Sequence, residues 1–269
     1  LQLLQVEGGS DYRYVVCGDH TAQVARGASR QGLESFLYNN PPVIWFADGS
    51  ALEGNQYVQL RNDVPPYDRT RIIAWDWAGV DIRKESQGPT KAADSIQARV
   101  IRELTVGDYS VIFDDDDSGE AADVVAVRVV GTVPADRRIE VEFYHCKYSQ
   151  TDSPGQRIKD LYEVCGQAQK SVRWMLSPES RTDLFTHLMR RDAQRLAKGL
   201  PSRIERGATD VLQTLVEMSR LCPVSLRVSI VQPGVSKSDA TTDQLRLLGV
   251  TANYLYETYQ LPLTVITSG

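Results

Sequence analysis

Two runs of alternating hydrophobic and polar positions stand out in the middle of the chain, AADVVAVRVV and IEVEFYHCKYS, joined by GTVPADRR. Both are rich in Val, Ile, Phe and Tyr, and Gly131 and Pro134 mark the break between them. This pattern predicts two neighbouring strands. Side chains alternate along a strand, so Ile139, Val141 and Phe143 share one face, which His145 and Lys147 continue. On the first run Asp123 shares a face with Val125, Val127 and Val129. Each apolar face therefore ends in chargeable groups. A carboxylate and a lysine brought together there make a small site at the rim of a sheet.

Upstream, residues 1 to about 85 read as short strands (LQLLQV, YRYVVC, VIWFA, YVQL) between turn signals such as GGSD, NNPP and DGSALEGN. One short helix is expected near Gln31 to Tyr38. The Trp45 to Asp48 run and the Trp75-Asp76-Trp77 triplet fit either a stacking platform for bases or, as the favoured reading, core packing.

From Thr90 to Leu104 the period becomes helical, with Ala93, Ile96, Val100, Ile101 and Leu104 on one side and Asp94 or Thr90 as the cap. Gln97 falls inside the apolar face, where its amide needs a partner. It is either a core glutamine bonded to backbone or a residue pointing into a site. Tyr109 to Phe113 predicts a strand, and DDDDSGE a turn. Asp114 to Asp117 read as a solvated acidic tip, whereas Glu120 and Asp123 sit where the turn re-enters the sheet.

A helix is expected from about Ile158 to Met175, burying Leu161, Cys165, Ala168 and Val172. Tyr162 and Gln169 follow one edge of that stripe, and Glu163, Gln167 and Lys170 lie opposite. Edge residues can reach a neighbouring site, which favours Tyr162 and Gln169. Further helices are expected over Arg181 to Lys198 and Ala208 to Leu221, then strand, helix and strand over LRVSIVQPG, DQLRLLGVTANYLYETY and LPLTVIT. This order predicts an α/β layer fold with helices against a mixed sheet. The expected division is a β-rich region over 1–88 and a second domain over 89–269, with a helical insertion at about 178–222.

With 269 residues and 42% hydrophobic content the chain can bury a substantial core. No apolar run approaches the ~18 residues that span a bilayer. No secretory-signal pattern is legible, and the four cysteines lack CxxC pairing, so reduced thiols in the cytoplasm are expected. The chain starts at Leu1, and a longer parent polypeptide is expected. The formal net charge of −5 argues against adhesion to nucleic acid by bulk charge. Its distribution is uneven. Glu103 to Asp123 holds eight acids and no Lys or Arg, and Gln156 to Arg206 holds eleven Lys or Arg against six acids. An acidic focus beside a basic flank suits a site that gathers cations and holds phosphates. No GxSxG elbow and no GxxxxGK[ST] loop occurs, which weakens a serine-hydrolase or ATPase-motor reading.

Helix, strand, acidic turn, strand with Asp, strand ending in x-x-Lys, then helix, over roughly residues 90 to 175, resembles the PD-(D/E)xK, or restriction-endonuclease-like, nuclease superfamily. The stretches SGEAADVV, EFYHCKYS and DLYEVCGQAQKSV also resemble nuclease-like domains of bacterial restriction and antiphage-defence helicases. The resemblance implies an αβββαβ core, DNA as substrate, Mg or Mn as cofactor, and partner domains or subunits of a helicase or defence complex, with no membrane partner. It makes Asp123 the metal-binding aspartate and Lys147 the lysine that orients the attacking water. His145 stands where the family places an acid two residues before the lysine, and Gln97 where the first helix often supplies Glu. The implied ligand set is Asp123 with the Cys146 carbonyl, supplemented by Glu120 or, for Mn, by His145. Tyr162 and Gln169 would position phosphate or the lysine, with Gln97, Gln167 and Lys170 near substrate. Glu140 and Glu142 alternate onto the opposite face. The alternatives are an inactive nuclease-fold module that binds DNA or a partner protein, and an unrelated domain whose buried Asp and Lys pair.

Overall fold

The structure is a computed structural model. It describes the chain except residues 1, 6–11, 20, 41, 46–50, 54–55, 59–63 and 134–135. Residues 46–48 of the aromatic run and Pro134 thus lie outside the described residues. The chain divides into two units, Leu1–Asp63 and Val64–Gly269.

The first unit contains short antiparallel pairings. They are β1 (Gln2–Gln5) with β2 (Tyr12–Val15), β3 (Gln23–Arg26) with β4 (Ser29–Gly32), and β5 (Val43–Trp45), β6 (Ala51–Glu53) and β7 (Gln56–Val58) in series. The expected short helix is α1 (Leu33–Asn39).

The second unit is built on a seven-stranded mixed sheet. In chain order its strands are β8 (Ile73–Trp75), β9 (Val111–Asp114), β10 (Val124–Val130), β11 (Arg138–Cys146), β12 (Ile204–Arg206), β13 (Val224–Ser236) and β14 (Leu263–Ser268). In space they run β12-β9-β10-β11-β13-β14-β8. The pairs among β12, β9, β10 and β11 are antiparallel, and β11, β13, β14 and β8 pair in parallel. Helices cover both faces, which explains why β11 is buried on both sides.

The alternation read from sequence places the side chains as expected. Val125, Val127, Ile139, Val141 and Phe143 enter one core, with helices α3 (Lys159–Lys170), α4 (Pro178–Leu196), α5 (Thr209–Met218) and α6 (Thr242–Tyr259). Val124, Ala126, Tyr144 and Cys146 enter the other, against α2 (Ile96–Val106). Glu142 lies on the α2 side, accepting from Tyr109 and Tyr144 hydroxyls at 2.9 and 2.7 Å. Trp75 and Trp77 pack beside this second core at 5.9 Å between ring centroids, and the Trp77 indole donates to the Thr267 carbonyl. The triplet is packing, as favoured. No disulfide joins the cysteines. Among the described residues no helix is long and apolar enough to cross a membrane.

The structure departs from the expected elements in three places. Helix α2 begins at Ile96 rather than Thr90, because Ser95, not Thr90 or Asp94, caps it by accepting from the Ala98 amide at 3.2 Å. The insertion is not wholly helical, since β12 extends the sheet beyond β9. This short strand is held from outside: the Asp192 carboxylate accepts from the Arg203 amide at 2.7 Å, and the Asp114 amide donates to the Arg203 carbonyl at 2.8 Å.

The third departure is that residues 64–88, expected with the N-terminal region, carry β8 and cluster with the larger unit. The Tyr67 hydroxyl donates to the Leu263 carbonyl at 3.0 Å, and its amide to the Leu245 carbonyl at 2.8 Å. Gly249 of α6 lets this segment cross. A Cβ there would stand 2.4 Å from the Pro65 carbonyl oxygen and 2.9 Å from the Tyr67 nitrogen. Gly249→Ala is therefore expected to lose about 1–3 kcal/mol by overpacking. An unchanged urea midpoint would contradict this packing.

Candidate metal centre

The rim where β10 and β11 begin to part holds the candidate site. Asp123 immediately precedes β10 and is 1% exposed. Its Oδ2 accepts from the Cys146 amide at 2.8 Å, and its Oδ1 faces the Gln97 amide nitrogen at 3.4 Å. Gln97 is fixed in turn by the Gln87 backbone N–H, which donates to its Oε1 at 3.0 Å. The glutamine inside the apolar face of α2 thus finds both backbone and Asp123.

Asp116 and Glu120, from the turn after β9, complete a group with Asp123 whose carboxylate oxygens lie within 4.8 Å of one another. Like charges held this close disfavour ionisation. Burial and then the Glu120 carboxylate push Asp123 well above the usual carboxylate range, against the pull of the Cys146 amide. Burial and then Asp116 raise Glu120 likewise. A cation among the three relieves both effects. Three carboxylate oxygens form a hard, all-oxygen donor set that could hold a metal ion.

Lys147 pairs not with Asp123 but with two other acids. Its ammonium lies 3.3 Å from Glu85 and 3.0 Å from Glu163. Burial opposes its charge, but Glu163 and Glu85 outweigh it and raise the lysine. Glu85 comes from the loop before α2 and also accepts from the Tyr148 amide at 3.0 Å. Burial raises it above an ordinary glutamate. An acid thus stands beside the lysine although His145 occupies the expected position in sequence.

His145 is buried, and neither ring nitrogen has a partner. Burial and then Lys170 lower it to about 3, which keeps the ring neutral. It borders a cavity of about 20 Å³ with Glu120, Gln167 and Lys170, and the Gln167 oxygen there is also unpartnered. The space suffices for one water. His145 is not in the carboxylate group, and the Cys146 backbone meets Asp123 through its amide.

Helix α3 presents the edge opposite to the favoured one. Glu163 reaches Lys147, and Gln167 and Lys170 border the His145 cavity. Tyr162 is 66% exposed, and the Gln169 amide donates to the Thr251 hydroxyl of α6 at 3.2 Å. Sequence reasoning missed Glu85, Asp116 and Glu163. Only the density of acids before Asp123 hinted at Asp116.

The acidic turn is not a solvated tip. Asp114 and Asp115 are buried, and Asp117 is exposed. Arg191 of α4 pairs with Asp115 and donates to the Ser118, Asp115 and Asp117 carbonyls at 2.8, 2.7 and 3.2 Å. This guanidinium fixes the backbone that aims Asp116 and Glu120. No protein-family model, curated protein or solved structure matches the chain.

Removing one partner of a buried ion pair strands the other. Arg191→Leu is expected to cost about 3–5 kcal/mol in chemical denaturation, and Asp115→Asn, which keeps hydrogen-bonding atoms, clearly less. Equal, small losses would show that the turn holds its shape without this clamp.

Proposed function

We propose that this chain is a divalent-metal-dependent DNA endonuclease module of the restriction-endonuclease-like kind. The observation that carries the reading is the group of Asp116, Glu120 and Asp123 at the sheet rim, with Lys147 paired to Glu85, whose own charge acts on Asp123 and Glu120. The order of α2, three antiparallel strands, α3 and a parallel strand supports the fold assignment. The sequence resemblance supports DNA as the substrate and a helicase or defence complex as the setting.

In this reading the three carboxylates hold Mg²⁺ or Mn²⁺. A bound ion supplies Lewis acidity at the phosphoryl oxygen and a lowered pKa for water. Lys147, charged and largely withdrawn from solvent, stabilises negative charge developing on the phosphate. Glu85 orients the lysine and stands in for the acid that His145 replaces. Gln97 and the Cys146 amide keep Asp123 in one rotamer. His145, neutral and buried, serves as packing and as a partner for a trapped water.

A second reading is an inactive module that binds DNA or a partner protein. It is favoured by one feature, the neutral imidazole at the position of the missing acid.

Plasmid nicking separates the two. The wild type is expected to nick supercoiled DNA with Mg²⁺ or Mn²⁺, and Asp123→Ala and Lys147→Ala to lose at least ~100-fold in rate. Intact plasmid with either ion would leave the inactive module. Ligand linkage gives an independent check. Mn²⁺ is expected to raise the melting temperature of the wild type and not of Asp123→Asn.

A further inference from the structure

Helix α4 carries Arg191 and Arg195 four apart on one face, and Lys198 follows in the turn after the helix. Arg203, just before β12, joins them. Together with Gln194, Ser86 and Asp116 they border a pocket of about 310 Å³. Asp116 belongs both to this pocket and to the carboxylate group, so the two sites adjoin.

The donors can be accounted for one by one. Arg191 is committed to Asp115 and the turn carbonyls. Arg203 Nη1 donates to the Asp114 and Asp116 carbonyls at 3.1 and 2.6 Å, its Nη2 stands 3.7 Å from the Asp117 carboxylate, and its Nε has no partner. Arg195 is different. Its side chain is 9% exposed, its Nε and Nη2 are unpartnered, and its Nη1 stands 3.8 Å from Asp114, beyond hydrogen-bond length. A buried guanidinium with unmade hydrogen bonds is costly. Positive charge is concentrated here: burial, then Arg191 and Arg195, hold Arg203 below its ordinary range. Arg191, Arg195, Lys198 and Arg203 outnumber Asp116 and Asp117 on these walls, so their charge favours an anion over a cation. A tetrahedral oxyanion fits both the charge and the fork geometry of Arg195.

We propose that this pocket binds a phosphate group of a nucleic-acid strand whose neighbouring phosphate lies at the carboxylate group. The identity of the strand rests on the nuclease reading, whereas the anion pocket stands on its own geometry. Arg195 is the fork that grips the phosphate, Lys198 reaches it from the exposed rim, and Arg191 positions the wall. The phosphate is either a terminal monoester or an internal diester, which share this chemistry.

The test is fluorescence anisotropy of the full chain with thymidine octanucleotides bearing a 5′-phosphate or a 5′-hydroxyl, in metal-free buffer so that nothing is cut. Arg195→Ala is expected to weaken binding tenfold or more. Arg195→Lys recovers only part, since it restores charge without the fork. Lys198→Glu, at an exposed position and safe for folding, is expected to weaken binding several-fold and to lower the salt slope by about one. A loss confined to the phosphorylated strand assigns a terminal monoester, and a loss on both strands assigns an internal diester. Wild-type affinity in both Arg195→Ala and Lys198→Glu overturns the pocket, as does a wild type that binds neither strand. If Arg195→Ala does not fold, Lys198→Glu decides. If binding falls as expected but plasmid stays intact, the pocket stands and the nuclease reading fails. If plasmid is nicked but both variants bind as wild type, the reverse holds.

Discussion

A carboxylate shut away from water beside two others of the same sign is the constraint on which this structure turns. Asp123 could relieve its position by binding a proton or by sharing a cation. Burial and the neighbouring acids push it toward the proton, and two donors hold a geometry that a cation could exploit. The Cys146 amide and the Gln97 side chain both present N–H groups to its oxygens, which suits the ionised form. Burial and mutual repulsion raise both Asp123 and Glu120. The group lies at a strand rim, where β10 begins and β11 ends.

That arrangement depends on forces applied from elsewhere. Four successive aspartates would repel one another in a free loop. Arg191 and Arg203 instead draw their carbonyls inward, and Lys91 stands 3.5 Å from Asp114. The basic flank of the sequence is thus partly consumed in holding the acidic focus. What remains is Arg195, with donors to spare, and Lys198 at the rim. The two halves of the charge pattern act together: Arg191 of α4 and Arg203 beyond it hold the turn that presents the acids, and Arg195 and Lys198 line the pocket beside it.

Much of the frame was legible in sequence because it follows from alternation. The period of two in β11 put His145 on the α3 side and Glu142 on the α2 side, and the helical period exposed Gln97, which meets Asp123, as the odd polar residue of α2. Other parts were not legible, for physical reasons. Glu85 lies in an aperiodic loop, and only tertiary folding brings it to Lys147. The run of four Asp looks the same whether solvated or clamped, because the clamp is supplied by Arg191, 76 residues from Asp115. On α3 the apolar stripe has two polar edges, and periodicity does not say which edge meets the rim. Glu163 meets it, and Tyr162 does not. Strand β12 is three residues long and is set by β9 and Asp192 rather than by its own pattern.

The most direct measurement of the central claim is anomalous diffraction from crystals of the chain equilibrated with Mn²⁺. The account predicts one strong peak bounded by oxygens of Asp116, Glu120 and Asp123, absent from crystals of Asp123→Asn. A map at saturating Mn²⁺ with no peak among those three side chains, or with the ion held elsewhere on the chain, would contradict it.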